Sequence, residues 1–277
     1  MLRDKLYQKK IITLEVLAPL ITEKETLLQK LEPFKDYVDA VNVPSNPLGK
    51  LRPDALSYAH IIQERTCIET IPHFVARSLT SLGFESQLLG AAALGIVNIL
   101  CVTGDRPVEG RGVFELNAIR LLEIAKNLAA GVSTSRGAIR PVNLCLCAGF
   151  NPNVPNLQGE FAKAVEKCRH GAGVFFTQPI FRPAAFLKVL EEFRRRHSEA
   201  KVIAGLSFLH TKKRAFSLMK FMGIPYEYVE IIEDGDETEI LYATAKELKD
   251  HVDGFYVIPI ADYSSAFKLV EKIRRML

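Results

Sequence analysis

The sequence predicts an α/β protein, a single (β/α)8 (TIM) barrel spanning residues 1–277 as one domain. Three observations lead there. Short apolar runs alternate eight times with longer amphipathic segments, the rhythm of βα units rather than of hairpins. Most of the runs are continuously hydrophobic, as parallel strands buried on both faces require. No Ser/Gly/Pro-rich linker or low-complexity tract divides the chain. Eight strand–helix pairs in 277 residues suit a closed barrel, whereas a doubly wound sheet usually carries fewer strands.

In chain order, strands are expected at 11–16, 37–43, 67–75, 96–102, 142–150, 172–178, 201–208 and 254–260. Helices between them carry recognisable ends. Thr22 opens 24–31, Asn117 precedes 121–129, Pro183 opens 184–195 and Asp262 precedes 265–276. These are side chains and first-turn prolines that satisfy or dispense with free helix N–H groups.

Composition narrows the function classes. The chain is 48% hydrophobic and 25% charged, which is ordinary for a globular protein. Net charge is only +4, with the basic residues scattered apart from Arg194-Arg195-Arg196 and Lys212-Lys213-Arg214. The first triplet closes an expected helix, where cations favour the dipole, and no extended basic patch suggests a nucleic acid partner. The N-terminus is charged from the start and lacks the apolar core of a signal peptide, so a soluble, cytoplasmic protein is expected. The most apolar stretch, 88–102, holds Gly95 and Asn98 and is too short for a membrane span. Five cysteines, Cys67, Cys101, Cys145, Cys147 and Cys168, form no CxxC and lie mostly in apolar runs, which predicts buried reduced thiols. No metal-ligand spacing, nucleophile elbow, Rossmann turn or P-loop is present, so no metal site is expected and any dinucleotide must bind by another route.

Barrel enzymes place their chemistry where strands end. The polar residues at those positions are Glu15, Asn42 to Asn46, His73, Thr103-Gly104-Asp105, Phe150-Asn151-Pro152-Asn153 and Thr177-Gln178. A carboxylate at the inner lip, Glu15, gains a raised pKa by desolvation and serves as a general acid, unless strand alternation points it to solvent. Asp105 beside Gly104 suits stabilisation of a cation, or else caps its own turn. The amide of Gln178 offers a donor and an acceptor to a ring edge, or else holds the neighbouring loop. Lys167 could reach a phosphate, although an exposed helical lysine is commoner. His73 is more often a structural hydrogen bonder than a base.

Several segments, in this order, resemble the methylenetetrahydrofolate reductase family. They are Leu14-Glu15-Val16-Leu17-Ala18-Pro19, Ile71-Pro72-His73, the block from Gly95 to Pro107 with Thr103-Gly104-Asp105, Ala148-Gly149-Phe150-Asn151-Pro152-Asn153, and Gly171 to Phe181. The likeness covers residues 11–182, and the final third is similar mainly in its strand–helix rhythm. The wording around Thr103 and Asn151 is most similar to the reductase portion of bacterial proteins that join this enzyme to a homocysteine methyltransferase. The resemblance implies a barrel holding FAD, or FMN in its place, that takes hydride from NADH or NADPH and reduces 5,10-methylenetetrahydrofolate to the 5-methyl form. It implies Glu15 as the acid that helps open the imidazolidine ring, Asp105 as the group that stabilises the resulting cation, and Gln178 as a folate contact. It implies flavin contacts at His73, Gly104, Asp105, Phe114, Ala148, Phe150, Glu160 and Lys167.

The chain departs from the family at Leu17-Ala18, where an aromatic pair is usual, and at Pro44-Ser45-Asn46-Pro47. It departs again at Thr103, where an Arg is common, and near Asp262, where a substrate-facing Arg is expected. Two further readings follow. The chain could be a non-catalytic barrel that binds folate or a partner within a larger reductase complex. It could instead be a flavin-free barrel enzyme such as a lyase or a pterin synthase. As partners, a second copy in a homo-oligomer or a partner reductase subunit that supplies electrons is expected.

Overall fold

The computed structural model describes residues 1–20 and 23–277. Eight parallel strands close into a barrel: β1 (Ile11–Glu15), β2 (Ala40–Val43), β3 (Glu69–Val75), β4 (Asn98–Val102), β5 (Cys145–Phe150), β6 (Val174–Pro179), β7 (Lys201–Ser207) and β8 (Gly254–Ile258). Each strand pairs with its neighbours in sequence and β1 pairs with β8, so the sheet has no free edge. Seven of the eight expected runs contain one of these strands whole, and the run at 172–178 stops one residue short of the end of β6 at Pro179. The runs at 37–43 and 142–150 begin three residues ahead of the pairing, and the last ends at Ile258, because Ile260 and Ala261 adopt positive φ of 43° and 75° and turn the chain.

The helices are α1 (Leu2–Leu6), α2 (Lys24–Leu31), α3 (Ala55–Thr66), α4 (Ser81–Ala93), α5 (Ala118–Ala129), α6 (Leu157–Arg169), α7 (Pro183–Arg196), α8 (Lys212–Met222), α9 (Tyr226–Asp234), α10 (Glu237–Leu248) and α11 (Tyr263–Met276). Asn117 accepts the Arg120 N–H at 2.9 Å and Asp262 accepts those of Ser264 and Ser265, each at 3.1 Å, so both caps expected from the sequence are in place. Thr22 lies outside the described residues.

Strand alternation splits the apolar residues into two layers. Ile12, Leu14, Val41, Phe74, Ile99 and Phe175 face the helices, while Ile11, Ala40, Ile71, Leu100, Val174, Phe176, Ile203 and Tyr256 face the lumen. The short α1 drives Leu2 and Leu6 into the lumenal cluster at the strand N-termini. There the Leu2 N–H donates to Asn98 Oδ1 at 3.0 Å, Asn98 donates to Glu69 at 2.8 Å, and Lys5 pairs with Glu69 at 2.9 Å. Leu2 and Leu6 are buried, contributing about 2 kcal/mol each by removal from water, and they close the barrel floor.

Two additions were not evident from the chain. Between β7 and β8 the helices α8 and α9 precede the wall helix α10 and bury a small core of their own around Leu209, Met222, Tyr228 and Val229. A two-stranded ribbon, Val132–Ser133 with Gly137–Ala138, is held by the Glu85 carboxylate, which accepts from Ser133, Thr134 and Ser135. The expectation of buried thiols is corrected at Cys67, which is exposed because it ends α3 in a left-handed conformation with φ 60°. Cys168 is partly exposed, whereas Cys101, Cys145 and Cys147 are buried. Among the described residues no helix is long and apolar enough to cross a membrane.

Candidate functional site

The parity that points Ile11 and Thr13 into the lumen does the same for Glu15, at the open end of β1. Burial raises its carboxyl to about 7, although a hydrogen bond from the Tyr256 hydroxyl to Oε2 works in the opposite direction. A group near 7 is divided between acid and carboxylate at neutral pH, which is what proton transfer needs. Asn42, opposite Glu15 in the sheet, places its amide nitrogen 3.3 Å from Nε2 of His73. Burial pushes the His73 imidazole down to about 3, so it stays neutral and can accept that hydrogen bond. Thr13 Oγ1 and Asn42 Oδ1 are buried with no protein partner. Such atoms carry an unmet hydrogen-bonding demand in the lumen.

Above this cluster sits the rim. Gly104 has φ +82° and a Cβ there would lie 2.1 Å from Val75 Cγ1, so glycine alone lets the β4 loop close on β3. Thr103 carries no charge where the family resemblance anticipates Arg. Its carbonyl accepts from Arg77 at 3.1 Å and its hydroxyl accepts from the Ala118 N–H at 3.3 Å. Asp105 is half-buried and accepts the Leu48 N–H at 2.9 Å, joining the β4 loop to the β2 loop. Phe114 is 62% exposed and lies under the Arg77 guanidinium, 4.4 Å from ring centre to Cζ.

Gln178 owes its exposure to a bulge. Between Phe176 and Pro179, β6 uses one residue more than β7 does between Ile203 and Gly205. Thr177 fixes the bulge by accepting the Gly205 N–H at 2.9 Å and donating to the Gln178 carbonyl at 2.7 Å. Gly205 is required, because a Cβ there would stand 2.7 Å from the Thr177 carbonyl oxygen. Gln178 then lines a cavity of about 340 Å³ with Val102, Thr103, Gly149, Asn151 and Lys163.

Of the remaining candidates, Phe150, Glu160 and Lys167 line that cavity. Lys167 is buried rather than exposed. Its ammonium donates to the Gly149 carbonyl at 2.6 Å and lies 3.8 Å from Glu160. Burial lowers its pKa, opposed by the Glu160 charge. Glu160 in turn accepts the Asn151 N–H at 3.1 Å. Ala148 and Phe150 point toward the helices, and the Phe150 ring stacks on Phe161 at 6.0 Å and meets Phe193 edge-on at 5.0 Å. Their side chains are therefore core, and contact with a ligand from these positions falls to the backbone. Asp262 is committed to capping α11.

The structure thus brings Glu15 and His73 together in the lumen, sets Gln178, Phe150, Glu160 and Lys167 around the adjoining cavity, and leaves Asp105 and Phe114 on the rim. Sequence reasoning missed Tyr256. The signal available was parity, since Tyr256 falls two residues after Gly254, the partner of Ile11. Among the described residues no group of three His, Cys, Asp or Glu side chains is placed to hold a metal.

Comparison with known proteins bears on this site. A family model described as methylenetetrahydrofolate reductase matches residues 2–249. No curated protein sequence matches the chain. A solved structure described as an uncharacterized protein from Clostridium thermocellum that binds two copies of 5-methyl-5,6,7,8-tetrahydrofolic acid has the same fold, with TM-score 0.73, 14% identity and 100% of each chain covered. On the family match across nearly its whole length, this chain belongs to the methylenetetrahydrofolate reductase family.

Proposed function

We propose that the protein is a flavin-dependent reductase that converts 5,10-methylenetetrahydrofolate to 5-methyltetrahydrofolate. The observation that carries the reading is Glu15, a carboxyl held in the lumen mouth with a pKa near 7 and no cation paired to it among the described residues. Opening the imidazolidine ring needs a proton at the departing nitrogen, and a buried carboxyl that is protonated near neutrality can deliver one.

The mouth is suited to a flavin ring. Neutral His73 and the unpartnered Asn42 Oδ1 match a polar ring edge, and Gly104, closed on Val75, fixes the β4 loop beside them. Glu160, Lys167, Phe114 and the backbone at Ala148 and Phe150 complete the residues that would hold it. When bound, FAD or FMN supplies the two-electron carrier that hydride transfer requires and no side chain provides. Gln178 offers the pterin edge one donor and one acceptor from an exposed position on the cavity wall. Asp105 places negative charge at the rim, where it favours the cationic form of the opened folate. NADH, NADPH or a partner reductase subunit supplies the electrons.

The test is the absorption spectrum of the purified protein, with identification of the released cofactor. This is followed by anaerobic mixing first with NADH or NADPH and then with methylenetetrahydrofolate. Bleaching and then recovery of the flavin bands, with 5-methyltetrahydrofolate formed, is the expected outcome. A colourless protein that takes up no flavin on reconstitution would sink the proposal in favour of a non-catalytic folate-binding barrel.

A further inference from the structure

We propose that Tyr256 is a positioning residue for the acid: its hydroxyl engages Oε2 of Glu15, so that Oε1 is the atom that carries and delivers the proton. The acid role of Glu15 rests on the function proposed above, whereas the pairing of the two side chains does not.

Tyr256 stands in β8 opposite Thr13, two residues below Glu15 on the same lumenal face. It is buried, and its ring meets Phe176 of β6 edge-on at 5.4 Å and 83°. The phenol is therefore held from both sides of the lumen and has little freedom to turn away. A hydroxyl bonded to a carboxylate donates, so Oε2 is occupied as an acceptor while Oε1 accepts no hydrogen bond among the described residues. The groups that face Glu15 are Tyr256 from β8, Tyr263 from α11, and Asn42 with neutral His73 from β2 and β3. Burial and the charge of Glu15 both hold the Tyr263 phenol in its protonated form, and Tyr263 makes no hydrogen bond to the carboxyl. Among the described residues Tyr256 alone bonds to it. That bond favours the ionised form and offsets part of the desolvation, so without it Glu15 would hold its proton to higher pH and release it less readily.

The test is Tyr256→Phe, which keeps the ring against Phe176. The infrared carbonyl band of the protonated Glu15 carboxyl, identified by its loss in Glu15→Gln, is titrated in both proteins. Its midpoint is expected to rise by about one pH unit in Tyr256→Phe. The alkaline limb of folate reduction should rise with it, with kcat lowered and KM unchanged. An unchanged midpoint in a folded variant overturns the proposal. If melting shows that Tyr256→Phe does not fold, 3,5-difluorotyrosine at position 256 keeps the shape and donates more strongly. The midpoint must then fall, and an unmoved midpoint again overturns the pairing. A shifted midpoint in a protein without folate reduction would remove the reductase reading and keep the pairing. An active reductase with an unshifted midpoint would do the reverse.

Discussion

The ammonium of Lys167 and the carbonyl oxygen of Gly149 lie 2.6 Å apart, so a charge from α6 fastens the last turn of β5 at the edge of the cavity. Replacing Lys167 by Met keeps the apolar stem but leaves the Gly149 carbonyl without its charged donor and takes one of two cations from Glu160, which keeps Lys163 at 3.5 Å. We expect the free energy of unfolding in urea to fall by about 2 kcal/mol, the cost of stranding buried polar partners. A loss below a few tenths would mean that the contact is dispensable.

Gly205 and Gln178 are linked through the bulge that Thr177 holds. In Gly205→Ala the new methyl would collide with the Thr177 carbonyl, so β6 must shift and carry Gln178 with it. The expected result is a KM for folate raised roughly tenfold, on the order of 1.4 kcal/mol, with a lower melting temperature. Unchanged KM would separate the bulge from substrate binding.

Asp105 combines a charge with a hydrogen bond to Leu48. Asp105→Asn keeps an acceptor for the Leu48 N–H and removes the charge, so folate turnover should drop by about tenfold or more without loss of stability. Asp105→Ala removes both and should also raise protease cleavage within residues 46–50. Equal activity of Asn and wild type would exclude an electrostatic role.

Glu15 makes stability depend on pH in a definite direction. Burial raises its carboxyl in the fold from the ordinary value of 4.5 to about 7, so the folded state binds the proton more tightly than the unfolded chain. Stability is then full below about 4.5 and declines as pH rises through 7. Glu15→Gln removes that decline, and above pH 8 the variant should be more stable than wild type by about 3 kcal/mol, with little difference at pH 4. Folate reduction should be lost while bound flavin is retained. Urea titrations at both pH values give the first result, and spectra with turnover give the second.

The strands were legible because a barrel strand is buried on both faces, and runs such as Ile11-Ile12-Thr13-Leu14 or Val174-Phe175-Phe176 have no other stable home. Glu15 and Gln178 were legible as polar residues ending such runs. Lys167 was not, because its destination is a carbonyl eighteen residues upstream that only the folded β5–α6 unit brings near. Tyr256 was hidden in Gly254-Phe255-Tyr256-Val257-Ile258, which reads as plain core until closure of the barrel sets β8 against β1. The helices α8 and α9 escaped notice for a similar reason. An amphipathic segment packed on a satellite core carries the same pattern as one packed on the barrel wall.

The stopper that Leu2 and Leu6 form beneath the lumen makes the barrel a cul-de-sac. Among the described residues, the end of the lumen away from that stopper is the mouth at the strand ends, where Glu15 stands. In the function proposed above, an ionised Glu15 would take its proton back from the strand-end side, so a ligand seated on the rim would stand between the acid and solvent.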